Sequence, residues 1–128
     1  MTITVDLASN VPIYQQIKSA IVEAISAGKL REGDSLPSVR QLANDVGVNM
    51  LTINKVYTIL KQEGYITINK RSGALVSRRP AADQAFLKTI RSQIRKTAVQ
   101  ARSRSVSESE FMQICSNVYQ ELDRETVK

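Results

Sequence analysis

The 128-residue sequence contains no histidine and only one cysteine, Cys115. Histidine is the commonest general base and metal ligand in proteins, and a lone cysteine without histidine forms neither an internal disulfide nor an activated thiol. A phosphate-cradling loop is missing too, because Gly28-Lys29-Leu30 lacks the second glycine and the Ser or Thr of that motif. These absences argue against catalysis, and we expect no cofactor and no metal ion.

Long apolar runs are absent as well. No stretch of the sequence is apolar for the length that a membrane span requires. The alternation of Met1–Leu7 with polar residues is not that of a signal peptide, and a single cysteine fits a reducing compartment. We therefore expect a cytoplasmic protein that does not associate with a membrane.

Acidic residues are nearly absent from the middle of the chain. The formal net charge is +6, but Gly64–Arg104 contains ten Lys or Arg against one acid, Asp83, whereas Glu108–Lys128 contains five acids against two basic residues. A basic surface attracts polyanions such as nucleic acid. We expect the middle of the chain, and not its end, to bind such a partner.

Two helices joined by a tight turn are predicted within Leu36–Gly64. Ser38 with Gln41 forms a capping-box pattern, Gly47 suits a left-handed turn, and Asn49 suits the cap of the second helix. The second helix has one apolar stripe at helical spacing, which consists of Ile53, Val56, Tyr57 and Leu60. This length and turn are typical of a helix-turn-helix.

The remaining residues of the second helix include no acid. Amide, hydroxyl, methyl and ammonium groups of this kind read base edges and phosphates in a major groove. The residues off the apolar stripe are Asn49, Met50, Thr52, Asn54, Lys55, Thr58 and Lys61. The alternative is an ordinary helical bundle in which this polar face is simply solvated.

A β-hairpin is predicted directly after this helix. Tyr65–Ile68 and Ala74–Ser77 are short β-rich runs on either side of a polar connector that contains Gly73 and carries Lys70 and Arg71 at its tip. A recognition helix followed by a basic hairpin is a winged helix, although the tip alone is also compatible with a solvated loop. The alternation of Thr2–Val5 predicts a further short strand at the edge of this small sheet.

The sequence after Arg78-Arg79-Pro80 predicts two amphipathic helices, separated at Arg102–Val106 and with a capping box at Ser107 and Glu110. Such helices cannot bury their stripes alone, so they must pack on the first unit, on each other or on another copy of the chain. The stripes are Phe86, Ile90 and Ile94 in one helix and Phe111, Ile114, Val118 and Leu122 in the other. We predict a mainly α (α+β) protein with a winged helix-turn-helix DNA-binding domain at 1–79 and a two-helix dimerisation domain at 80–128.

These motifs resemble the GntR superfamily of bacterial transcription regulators over roughly residues 11–77, and the short tail is similar to that of its YtrA subfamily. The resemblance is carried by Pro12–Ile17, Gly28–Leu30, Gly33–Ala43, Gly47–Asn49, Thr52, Tyr57, Leu60 and Glu63-Gly64. It implies a homodimer that binds a palindromic operator in double-stranded DNA as a repressor. The sequence differs from the family pattern in the wing, where Lys70-Arg71-Ser72-Gly73-Ala74 replaces Arg-Gly-x-Gly-Thr.

The resemblance also implies roles for single residues. Arg40 matches the position of an arginine that contacts phosphates and bases, and Gly73 matches the wing glycine that lets the backbone approach the minor groove. The matching positions on the recognition helix are Asn49, Thr52, Asn54 and Lys55, whereas Met50 and Asn54 stand where many relatives outside the subfamily carry Arg.

A protein-interaction adaptor is the main alternative from another functional class, because winged helices also bind proteins. Such an adaptor would dimerise through the C-terminal helices and use the winged helix for protein contacts. A small-molecule sensor is disfavoured, since two short helices leave little room for a cavity of ~300 Å³. The residues identify no effector.

Overall fold

The computed structural model describes residues 2–127, and these divide into two compact units. One unit contains the chain up to Pro80 together with Val127, and the other contains Ala81–Thr126. The first unit consists of three helices and a hairpin, and the second consists of two helices. The predicted mainly α class with a small β wing is confirmed.

The first unit is built from α1 (Ile13–Ser26), α2 (Val39–Val46), α3 (Met50–Gln62), β1 (Ile66–Asn69) and β2 (Gly73–Val76). Each helix directs one apolar stripe into a common core, as the sequence periodicity predicts. The core residues of the helices are Ile17, Ile21, Ile25, Leu42, Ala43, Ile53, Val56, Tyr57 and Leu60, and Leu36, Ile66, Ala74 and Val76 complete it.

The helix termini of the first unit are formed by local hydrogen bonds. Ser38 Oγ accepts from the backbone N–H of Gln41 at 3.1 Å, so the predicted cap forms. The reciprocal half of the predicted capping box is wrong, because Gln41 Nε2 donates to Asp45 Oδ1 at 2.7 Å. Gly47 ends α2 with φ of 81°, the left-handed conformation that glycine adopts most readily.

The hairpin pairs β1 with β2 in antiparallel register, from Ile66 opposite Val76 to Asn69 opposite Gly73. The prediction that Thr2–Val5 forms an edge strand is wrong. The free edge of β2 is already occupied, since the backbone N–H of Leu36 donates to Ala74 O and that of Val76 donates to Asp34 O. Ile3 and Val5 pack against the core as partly buried side chains instead.

The second unit consists of α4 (Gln84–Ser103) and α5 (Glu108–Glu125). Asp83 caps α4 by accepting from Phe86 N–H at 2.8 Å, and the predicted capping box of Ser107 and Glu110 is present at the start of α5. The predicted interruption is confirmed, and Ser105 within it has a positive φ of 62°. Neither helix contains a buried residue.

Candidate nucleic-acid interface

The solvent-facing side of α3 is centred on four side chains at intervals of three, one and three residues. Leu51, Asn54, Lys55 and Thr58 are all exposed, and their spacing places them on one side of the helix. Leu51 is 73% exposed, which is unusual for leucine in a well-packed helix. The sequence reasoning missed Leu51, although its position off the apolar stripe of α3 signals this exposure.

The first turn of α3 presents a positive helix end. Asn49 Oδ1 accepts from Leu51 N–H at 2.7 Å, so this oxygen is used as the predicted helix cap. The turn contains no acidic residue, and the partial positive charge of the helix N-terminus is therefore not neutralised by a side chain within it. Met50 is exposed beside this turn, whereas Thr52 is half-buried.

Lys55 is held by an aromatic ring from another helix. Its Nζ lies 3.8 Å from the ring centroid of Tyr14 in α1, a cation–π contact. The ammonium group stays exposed, but its direction is restricted by the half-buried ring. Tyr14 is therefore a positioning residue that the sequence reasoning did not connect with Lys55, because the two residues are far apart in the chain.

The wing has a defined turn at its tip. Asn69 Oδ1 accepts from the backbone N–H groups of Arg71 at 3.0 Å and Ser72 at 2.6 Å. Gly73 has φ of 70°, and a Cβ atom built there would meet no atom within 4 Å. The turn leaves Lys70 and Arg71 exposed. Asn69 was also missed, although an asparagine that precedes a polar turn is a known signal for such a side-chain cap.

The start of α2 is fixed to α3 by Tyr57. Its hydroxyl donates to Pro37 O at 2.7 Å, one residue before the cap of the helix that carries Arg40. Burial raises the pKa of Tyr57 to about 12, since the ionised phenolate would be poorly solvated there. Arg40 itself is exposed.

An ion pair stabilises the opposite end of α3. Lys18 of α1 donates to Glu63, which directly follows α3. The carboxylate of Glu63 is thus neutralised locally, and it lies at the end of α3 far from Asn49. The exposed face of α3 therefore combines an apolar, an amide and an ammonium group without an acid.

Other kinds of site were sought in residues 2–127. No group of three or more Cys, Asp or Glu side chains in that range could hold a metal ion. Over the same residues, no helix is long and apolar enough to cross a membrane.

Comparison with known proteins identifies this fold. Residues 13–76 match the model of the bacterial regulatory proteins of the gntR family. The transcriptional repressor YtrA of Bacillus subtilis is 39% identical over 75 residues, which are 59% of this chain and 58% of YtrA. The match thus spans less than two thirds of that relative.

Two solved structures extend the comparison. A transcriptional antiterminator from Listeria monocytogenes superposes with a TM-score of 0.88 at 26% identity, over 95% of this chain and 92% of that one. The DNA-binding domain of AraR, solved in complex with operator ORE1, has a TM-score of 0.54 at 26% identity and covers 60% of this chain and 100% of its own. The chain belongs to the gntR family of bacterial regulatory proteins.

Proposed function

We propose that this protein is a transcription regulator, of the repressor type, that binds a palindromic operator in double-stranded DNA as a homodimer. The observation that carries the proposal is the acid-free exposed face of α3, centred on Leu51, Asn54 and Lys55 beside an unneutralised helix N-terminus. A helix with such a face fits the major groove, where amides read adenine and apolar groups contact the thymine methyl. The repressor name of YtrA and the operator bound to AraR support the proposal.

The proposed contacts fall into two classes. Asn54, Thr52 and Met50 are assigned to base edges, together with Leu51 as an apolar contact for thymine. Lys55, Lys70 and Arg71 are assigned to phosphates, because a flexible or exposed cation provides position but little sequence information. Arg40, Asn49 and Gly73 complete the surface, with the remaining Asn49 amide N–H, the Arg40 guanidinium and the Gly73 backbone as the contacting groups.

The proposed dimer uses the tail. Within residues 80–128, five of the seven side chains predicted for dimerisation are 42–54% exposed in the single chain: Phe86, Ile94, Ile114, Val118 and Leu122. The other two, Ile90 and Phe111, are half-buried. Burying an apolar side chain of this size stabilises by about 1.5–3 kcal/mol, so a two-fold dimer is a strong solution for these stripes. It also holds two copies of the domain at 1–79 on the two halves of a palindrome.

Selection of bound sites from random duplex DNA tests the proposal. We expect a palindromic site whose half-sites repeat, and binding that weakens steeply with salt because each neutralised phosphate releases counterions. Failure to enrich any sequence, together with binding that is insensitive to salt, would contradict DNA recognition. Such a result would favour the protein-interaction adaptor.

The wing is tested by replacing Lys70 and Arg71 together with alanine. If both contact phosphates, affinity falls about equally on the selected site and on random DNA, and the salt slope decreases by about one unit for each contact. Arg40→Ala is the comparison, because a base contact would make its loss larger on the selected site. Titration of both DNAs at several salt concentrations gives all of these values.

A further inference from the structure

The charges of the two tail helices are segregated by helix. α4 contains five basic residues and no acid, whereas α5 contains five acids and one basic residue. The basic residues are Lys88, Arg91, Arg95, Lys96 and Arg102, and the acids are Glu108, Glu110, Glu121, Asp123 and Glu125. Opposite net charges on adjacent amphipathic helices restrict which helix faces can pack together.

In each helix, part of the charge borders the apolar stripe on one side. Arg91, Arg95 and Arg102 line a groove on α4 together with the apolar side chains Ile94, Ala98 and Val99. On α5, Glu110, Glu121 and Glu125 lie at helical spacing beside Ile114 and Val118. We call the arginine set the basic flank and the glutamate set the acidic flank.

The two flanks do not pair within the chain. Across residues 2–127, the structure contains one ion pair, which joins Lys18 to Glu63 in the first unit. The basic and acidic flanks are exposed, and the apolar stripes beside them contain no buried residue. Each helix therefore presents an apolar face with one charged border whose complement is carried by the other helix.

We propose that α4 of one copy packs against α5 of a second copy, with the basic flank opposite the acidic flank. This pairing rests on the homodimer proposed above and specifies its geometry. A two-fold axis creates the contact twice, because α5 of the first copy then meets α4 of the second. Pairing α4 with α4 would instead bring two strongly basic helices together, which like-charge repulsion disfavours.

Charge reversal tests the pairing in the full chain. One variant carries R91E and R95E in the basic flank, and another carries E121K and E125K in the acidic flank. Each variant alone places like charges at both contacts of its dimer, so we expect its dimer dissociation constant to rise roughly tenfold or more at about 0.1 M salt. Lys96→Glu is the matched control, since it changes the charge of α4 away from the basic flank and leaves the dissociation constant near that of the unaltered chain.

Mixing the variants identifies the partner helix. An equal mixture of the two reversed chains is expected to form a heterodimer, because both contacts then join opposite charges. A chain that carries all four substitutions is expected to dimerise with itself but not with the unaltered chain. Analytical ultracentrifugation measures the dissociation constants, and native mass spectrometry with one isotope-labelled chain measures the mixed dimers.

The possible results separate the pairing from the dimer itself. Reversed chains that dimerise like the unaltered protein, or a fourfold-substituted chain that mixes freely with it, would overturn the α4–α5 pairing and leave the dimer intact. If each reversed chain loses its helix content and mixing restores nothing, the helices pair within one chain and the proposal is wrong. An unaltered chain that stays monomeric would overturn the dimer and this pairing with it.

Discussion

The two units of this protein use the same sequence pattern with opposite results. In α3 the stripe of Ile53, Val56, Tyr57 and Leu60 is buried within the chain, whereas the equivalent stripe in α5 remains exposed or half-buried. Apolar periodicity therefore tells which face of a helix needs a partner, but it does not tell whether that partner belongs to the same chain. Here the difference separates a unit that is complete in one copy from a unit that we propose is completed by two.

Substitution of one buried and one exposed stripe residue has the largest expected effect on this contrast. Leu60 is fully buried, so Leu60→Ala is expected to destabilise the first unit by about 2–5 kcal/mol. Ile114→Ala in α5 is the matched change, and we expect it to leave the first unit unaffected and to weaken the dimer. Amide hydrogen exchange in α1 and α3 measures the first effect, and sedimentation measures the second. Equal losses of protection in both variants would show that the two units are not independent.

High pH affects the first unit through Tyr57. The pKa of Tyr57 is raised from its ordinary value of 10.0 to about 12 by burial, so the folded state retains the proton more strongly than the unfolded state. The corresponding stability is complete below pH 10 and is lost as the pH rises from 10 towards 12, by about 2–3 kcal/mol. Denaturant titrations at pH 9 and pH 12 measure this loss.

Tyr57→Phe identifies the source of that pH dependence. The variant should lack this part of the loss between pH 10 and 12, although it is less stable by about 1 kcal/mol at neutral pH because Pro37 O loses its donor. Tyr65→Phe serves as the control and should keep the full loss. A Tyr57→Phe protein with the same high-pH instability as the parent would contradict the assignment to Tyr57.

Base discrimination is expected to depend on the first unit alone. Asn54→Ala should reduce the preference for the selected operator by roughly 1–3 kcal/mol at the base pair that it reads, with a smaller change on random DNA. Thr52→Ala should have less effect, since this side chain is half-buried at the edge of the exposed face. Gln62→Ala, at the far end of α3, is the control. Competition titrations with single base-pair changes measure the preference, and an unchanged preference in the double variant of Thr52 and Asn54 would assign base reading to other residues.

The caps provide the smallest effect and compare the two units directly. Ser38→Ala removes the acceptor for Gln41 N–H, and Ser107→Ala removes the acceptor for Glu110 N–H. Each change should cost about 1 kcal/mol. We expect the first to appear as a lower melting temperature of the first unit and the second as weaker dimerisation. Circular dichroism and sedimentation distinguish them, and the reverse assignment would contradict the division of roles.

The elements that the sequence predicts correctly depend on local chemistry. The stripes of α1, α2 and α3, the Gly47 turn, and the caps at Ser38, Asn49 and Ser107 each follow from residues within a few positions of one another. The wing strands are predicted for the same reason. The family motifs are local as well, which explains why the resemblance is confirmed by the match over residues 13–76.

The wrong and missed features depend on competition between distant residues. Thr2–Val5 has the alternation of a strand, but Asp34 and Leu36 occupy the edge of β2 first. Gln41 is within reach of Ser38, yet Asp45 provides a charged acceptor for it. The contact of Lys55 with Tyr14 joins two helices, and spacing within one helix carries no information about it.

The most direct test of the two-unit account compares the full chain with a fragment of residues 1–80. The fragment retains every buried core residue, and it also retains Arg79, whose Nη2 donates to Ile25 O and Ser26 O at the end of α1. Sedimentation combined with titration of the selected palindrome should find a dimeric full chain that binds tightly. The fragment should be a folded monomer with much weaker binding, because two half-sites no longer share one binding event. A dimeric fragment, or a monomeric full chain that binds the palindrome at full strength, would contradict the account.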